Sequence, residues 1–254
     1  MSSCDVQQYK TKGVTLGKRL KMQRRGKGSN AYTKPPNTFK ADVALGREIK
    51  SGKIVGEVIE FVDDPGHTAP LMKIRYEDGT ESMLIAPEGM LIGKKIQNGP
   101  DADIDTGCIT YVSKIPEGAY IYNVELTEGD GGKIARSAGS YSMLVSHSDT
   151  YSTIRLPSKQ TIDISNNCRA QIGVVAGGGK GIMPIMKAGK NYYIKHAINA
   201  KWPVNRGVKS NAVDHPFGGK QHHKGSSSMV SRNAPPGAKV GHIAARRVGR
   251  KKRG

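Results

Sequence analysis

Charge is partitioned along this chain in a way that few architectures tolerate. Residues 1–40 carry ten Lys and Arg against one carboxylate, Asp5, and residues 181–254 carry sixteen against Asp214 alone, net charges of +9 and +15. The stretch between them, 41–180, holds fourteen basic and nineteen acidic residues, a net of −5. Like charges at that density repel, so both ends are predicted to be arms that order on a polyanion, around a mildly acidic body that stays soluble. A uniform excess would mean only a solvated surface. Two basic arms flanking an acidic body point to nucleic acid.

The body reads as short strands. Between 53 and 61 the residues Ile54, Val55, Val58, Ile59 and Phe61 are β-branched or aromatic, with Gly56 a candidate bulge. Runs at 71–76 and 81–85 flank Asp78-Gly79, whose glycine supplies the positive φ of a tight hairpin. Further runs follow at 110–113, 120–126, 142–145, 153–156, 161–164 and 169–175, most of them separated by Gly, Pro, Asn or Asp. Many short strands without a sustained helical period predict an all-β body of two small barrels meeting near residue 98. After Ala176 the pattern gives way to glycines, apart from a helical turn or two around 191–198.

Several tempting motifs fail on their chemistry. Gly177–Gly179 and Lys180 are followed by Gly181, where a phosphate loop needs Ser or Thr, and no third glycine completes a dinucleotide fingerprint. Asp101, Asp103 and Asp105 start like a calcium loop, but Thr106 and Val112 stand where Gly and Glu are required. His215, His222, His223 and His242 lack the spacing of a metal site, and Cys4, Cys108 and Cys168 lack the CxxC spacing of zinc or redox sites, while their odd number argues against a disulfide framework. Asp214-His215 suggests a general base, yet no activated serine or cysteine accompanies it. The chain is therefore expected to be no enzyme and to need no cofactor or metal. With no long apolar run and no signal-peptide pattern, it is expected in the cytoplasm. Tyr192, Tyr193, Trp202 and Phe217 lie in the basic arm as candidates to stack on RNA bases.

The wording of the carboxy-terminal arm carries a resemblance. Trp202-Pro203-Val204-Asn205-Arg206-Gly207, followed by Asn211-Ala212-Val213-Asp214-His215-Pro216-Phe217-Gly218-Gly219, is similar to the signature of the large-subunit ribosomal protein two family, in its archaeal or eukaryotic form. Segments 23–28, 39–43, 86–89, 129–136, 173–179 and 231–237 extend the likeness over about residues 17–254. The resemblance implies an oligonucleotide-binding-fold barrel followed by an SH3-like barrel, with both tails threaded into large-subunit ribosomal RNA near the peptidyl-transferase region. It also implies roles in assembly, subunit association and tRNA placement, with neighbouring ribosomal proteins, tRNA and small-subunit RNA as partners. The histidine matching His215 supports a site whose chemistry RNA performs. Residues 1–16, Lys220 and 225–229 depart from the family pattern.

The expected division is a basic amino-terminal arm over 1–37, barrels over 38–97 and 98–180, and an extended basic arm over 181–254. RNA contacts are expected from Lys18, Arg19, Lys21, Arg24, Arg25, Lys27 and Lys40 towards the amino terminus, and from Lys133, Arg136, Arg169 and Lys180 in the body. In the final arm Lys187, Lys190, Lys201, Arg206, Lys209, Arg232, Lys239, Arg246, Arg247 and Arg250 supply charge. Trp202, Asn211, Asp214, His215, Phe217, Gly218, Gly219 and Asn233 complete the set from the motifs.

Overall fold

Apolar side chains at every second position give a strand one dry face, and the computed structural model pairs such strands into one ten-stranded sheet. Residues 21–46, 48–219, 227–247 and 249 are described by the structure. They divide into two units, Pro36–Ile198 and, separately, the chain up to Pro35 together with that from Asn199.

In the first unit β1 (Ile54–Val62), β2 (Leu71–Tyr76), β3 (Glu81–Ile85) and β4 (Lys95–Asn98) form one half of the sheet. The other half comprises β5 (Ile109–Tyr111), β6 (Tyr120–Tyr122), β7 (Ser142–His147), β8 (Tyr151–Arg155), β9 (Thr161–Ser165) and β10 (Arg169–Ile172). The order β3-β2-β1-β4-β5-β10-β6-β7-β8-β9 joins the halves through β4 and β5, whose single parallel pair is Asn98 with Ile109. All other neighbours in this sheet are antiparallel. The fold is all-β, as the strand pattern predicts.

Each half has its own core. Leu45, Val58, Met72, Ile74, Leu84 and Ile96 fill the first, and Ile121, Val124, Leu144, Ile154, Ile164 and Ala170 the second. A third cluster, including Leu71, Ile85, Tyr122 and Val175, draws on both. Tyr122 is fully buried there, and its hydroxyl donates to the Ile85 carbonyl at 3.2 Å, so the largest side chain at this junction leaves no polar atom stranded.

Several sequence expectations are corrected. Gly56 is not a bulge: it pairs in register with Tyr76 and Ile96, and a Cβ there would lie 2.6 Å from Ile74 Cγ2. Close approach, not bending, requires the glycine. The bulge lies between Val58 and Glu60. Strand β4 had no counterpart among the predicted runs. The run at 110–113 stops at Tyr111 and continues as a 3-10 turn, Val112–Lys114. That at 120–126 stops at Tyr122 because Asn123 takes a positive φ of 49°, and that at 169–175 stops at Ile172.

Two short helices end this unit, α2 (Gly179–Ile182) and α3 (Ala188–Ala197). The second unit has little regular structure: α1 (Lys21–Gly26) and a parallel pair, β11 (Met229–Val230) and β12 (His242–Ile243). Its two chain segments are tied together. The Asn199 side-chain amide donates to the Asn30 and Thr33 carbonyls at 2.8 and 2.7 Å, and Lys201 Nζ sits 5.4 Å from the centre of the Tyr32 ring. Among the described residues no helix is long and apolar enough to cross a membrane.

Candidate nucleic-acid interface

The motif at 202–219 folds back on itself through its own backbone. A 3-10 turn at Gly207–Lys209 leads into a loop in which the Asn211 carbonyl accepts from the Asp214 and His215 amides, and the Ser210 carbonyl accepts from Gly219. A side chain at 218 would run into the Ser210 and Asn211 carbonyls, so glycine is required where the two strands of the loop touch. At Gly207 a Cβ would strike the His215 ring itself. The imidazole is therefore seated over Gly207 and held by its own loop.

That seat sets the tautomer of the ring. His215 Nδ1 accepts the Phe217 amide N–H at 3.0 Å, so in the neutral ring the proton sits on Nε2. Phe217 tilts against the imidazole at 5.3 Å and reaches Gly241, beside β12. Both rings are half-buried, and so is Trp202.

Most of the expected cations stand where RNA could reach them. Arg24, Arg25, Lys27, Lys40, Lys133, Lys187, Lys190, Arg206, Lys209, Arg232, Lys239, Arg246 and Arg247 are exposed, as are Asn211 and Asn233. Lys201 is exposed over Tyr32, and Lys180 is exposed with Nζ on the Thr68 carbonyl at 3.3 Å. Asp214, Gly218 and Gly219 are half-buried in the loop. Lys18, Arg19 and Arg250 lie outside the described residues, as do the Lys21 side chain, Lys220, His222, His223 and Cys4.

Arg169 stands apart from the exposed cations. Only 5% exposed, it points inward and binds the Glu125 carboxylate, with Nη2 on Oε1 at 2.7 Å and Nη1 on the Gly46 carbonyl at 3.3 Å. Its guanidinium is turned to protein acceptors rather than to the surface where a phosphate would lie. Arg136 is half-buried and bonds the Gly132 and Val43 carbonyls at 3.0 and 2.8 Å, which makes it foremost a clamp on the backbone. Two of the three aspartates, Asp103 and Asp105, are likewise engaged locally. Gln97 and Lys53 bind Asp103, Lys94 binds Asp105, and these bonds hold both carboxyls below their usual range.

One feature escaped sequence reasoning: Asp64, buried in the 63–68 loop, accepts from the Gly66 amide at 2.8 Å and pairs with His67 Nδ1 at 2.5 Å. Burial alone would raise the Asp64 carboxyl, but the His67 and Gly66 hydrogen bonds outweigh it and hold it below its usual value. Asp63-Asp64-Pro65-Gly66-His67 reads as a plain turn, and only folding shows the second aspartate inside.

Comparison with known proteins agrees with this architecture. Residues 44–98 match the family described as Ribosomal Proteins L2, RNA binding N-terminal domain, and residues 105–239 match Ribosomal Proteins L2, C-terminal domain. The chain is 46% identical over 242 residues to the large ribosomal subunit protein uL2 of Methanocaldococcus jannaschii, covering 93% of this chain and 100% of that one. It is 45% identical over 240 residues to that of Methanococcus vannielii, again covering 93% and 100%. The Methanopyrus kandleri protein is 43% identical over 239 residues, 92% of this chain and 98% of its own.

Proposed function

The chain belongs to the ribosomal protein L2 family, and from that premise we propose that it holds large-subunit ribosomal RNA near the peptidyl-transferase region and supports assembly of that region. As a member of the family it is a structural constituent of the large ribosomal subunit, in the cytoplasm, with ribosomal RNA and other ribosomal proteins as neighbours. The observation that carries the finer reading is the charge pattern on a folded frame. Between Asp163 and Asp214 the sequence has no carboxylate and eight cations, most of them exposed, while the acidic body is closed around two dry cores. By the same proposal it takes part in subunit association, tRNA placement and support of peptide-bond formation, with tRNA and small-subunit RNA as partners, on the strength of the family resemblance over about residues 17–254.

The reading is tested by separating cell extract on a sucrose gradient after a high-salt wash with magnesium kept, and counting copies per subunit. One copy per large subunit, resistant to the wash, is expected. Loss to the top of the gradient would favour an accessory RNA-binding protein or an RNA-modifying enzyme that merely visits ribosomes.

His215 gives a sharper test. His215→Ala removes the ring that packs over Gly207 and accepts the Phe217 amide, a loss of about 0.5–1.5 kcal/mol for a single hydrogen bond that loosens the loop, so purified large subunits should work several-fold more slowly while the sheet unit stays folded. Gly207→Ala, which displaces the ring without removing it, should act in the same direction. Normal translation by both variants would remove His215 from the functional surface.

A further inference from the structure

Residues 180–196 are more exposed than their composition warrants. Ile182 and Met186 are each 84% exposed, Met183 75% and Tyr193 73%, and α3 buries none of its residues. The segment is tethered at its start, where Lys180 bonds the Thr68 carbonyl at 3.3 Å. An apolar surface of this kind marks a binding site.

The chemistry selects the occupant. No carboxylate falls between residues 164 and 213, whereas Lys187, Lys190 and Lys195 lie among the apolar side chains. The ligand is therefore an anion with apolar faces. Tyr192, Tyr193 and Ile194 are consecutive, so they fan over roughly 200° of the helix at about 100° per residue, with no single stripe to lie in a protein groove. The Tyr192 and Tyr193 rings stand edge to face, 5.6 Å apart at 77°, while Tyr192 stacks on His196 at 5.8 Å and 29°. Rings set in different planes suit bases splayed out of a stack. A paired duplex hides its base faces and offers only edges, hydroxyls and phosphates.

We propose that residues 180–196 form a platform for unpaired RNA, on which splayed bases lie against Tyr192, Tyr193 and the apolar 182–186 run while Lys187, Lys190 and Lys195 hold the phosphates. This rests on the RNA-binding reading above and narrows it to one segment and one RNA conformation.

The test uses the full chain with two probes, a short oligouridylate carrying 2-aminopurine and a fully paired RNA duplex. Tyr192→Ala with Tyr193→Ala should lower affinity for the oligouridylate by about 10- to 100-fold, because base–aromatic stacking contributes on the order of 1–3 kcal/mol per base. The stacking quench of 2-aminopurine should vanish, while duplex affinity and salt dependence stay as in the wild type. Met183→Ser with Met186→Ser should weaken the same probe alone; both pairs are on the surface, so the cores remain intact. Equal binding of the oligouridylate by wild type and variants, or an equal loss on both probes, overturns the platform and leaves the RNA-binding reading standing. Failure of the wild type to bind either probe at low salt overturns both.

Discussion

Glu125→Ala is expected to destabilise the sheet unit by about 3–5 kcal/mol, the loss seen when one partner of a buried ion pair is removed. The Glu125 side chain is fully buried, and its two oxygens accept from the Gly131 amide at 3.1 Å, the Arg169 amide at 2.9 Å and the Arg169 guanidinium at 2.7 Å. Alanine would leave that guanidinium in the interior with the Gly46 carbonyl as its main acceptor. Two chain crossings depend on the pair, since Gly131 also accepts the Leu45 amide through its carbonyl at 3.1 Å. Urea unfolding followed by near-UV circular dichroism of the tyrosines reads this unit, because the single tryptophan, Trp202, belongs to the other. Combining the change with Arg169→Met should recover part of the loss by removing the stranded charge. A loss below about 1 kcal/mol would mean that the pair behaves as a solvated surface bridge.

The second large effect is on RNA affinity. If the arms make roughly 6 to 10 phosphate contacts, binding to naked ribosomal RNA should weaken by about 10³- to 10⁵-fold between 50 and 200 mM salt, through counterion release. A nitrocellulose-filter or anisotropy titration at several salt concentrations gives the slope directly. A nearly flat response would sink the view that exposed lysines and arginines carry the binding, and would shift the weight to shape recognition by the sheet unit.

What could be read without the structure was local or additive. Charge sums along the chain, so two basic arms and an acidic body are visible before any folding. The hairpin of β2 and β3 was equally plain: Gly79 takes φ of 79°, Thr80 bonds the Asp78 carboxylate, and the strands pair in register from Arg75 with Glu81 to Leu71 with Ile85. Its turn chemistry and its alternation lie within a few residues of each other. The motif at 202–219 was legible as a pattern of words, although its shape was not.

What stayed hidden was non-local. An arginine at 169 looks like any other cation until Glu125, 44 residues earlier in the chain, is folded against it. The tautomer of His215 depends on a loop that returns to place the Phe217 amide on Nδ1 and Gly207 beneath the ring. Gly56 misled because a glycine between β-branched residues suits a bulge and a close contact equally, and only the approach of Ile74 and Tyr76 distinguishes them. Sequence alone determined the all-β character, the charge architecture and the family motif, because each depends on neighbours in the chain. Tertiary structure alone decided which charges face solvent and which are sealed inside, because burial depends on residues that only folding brings together.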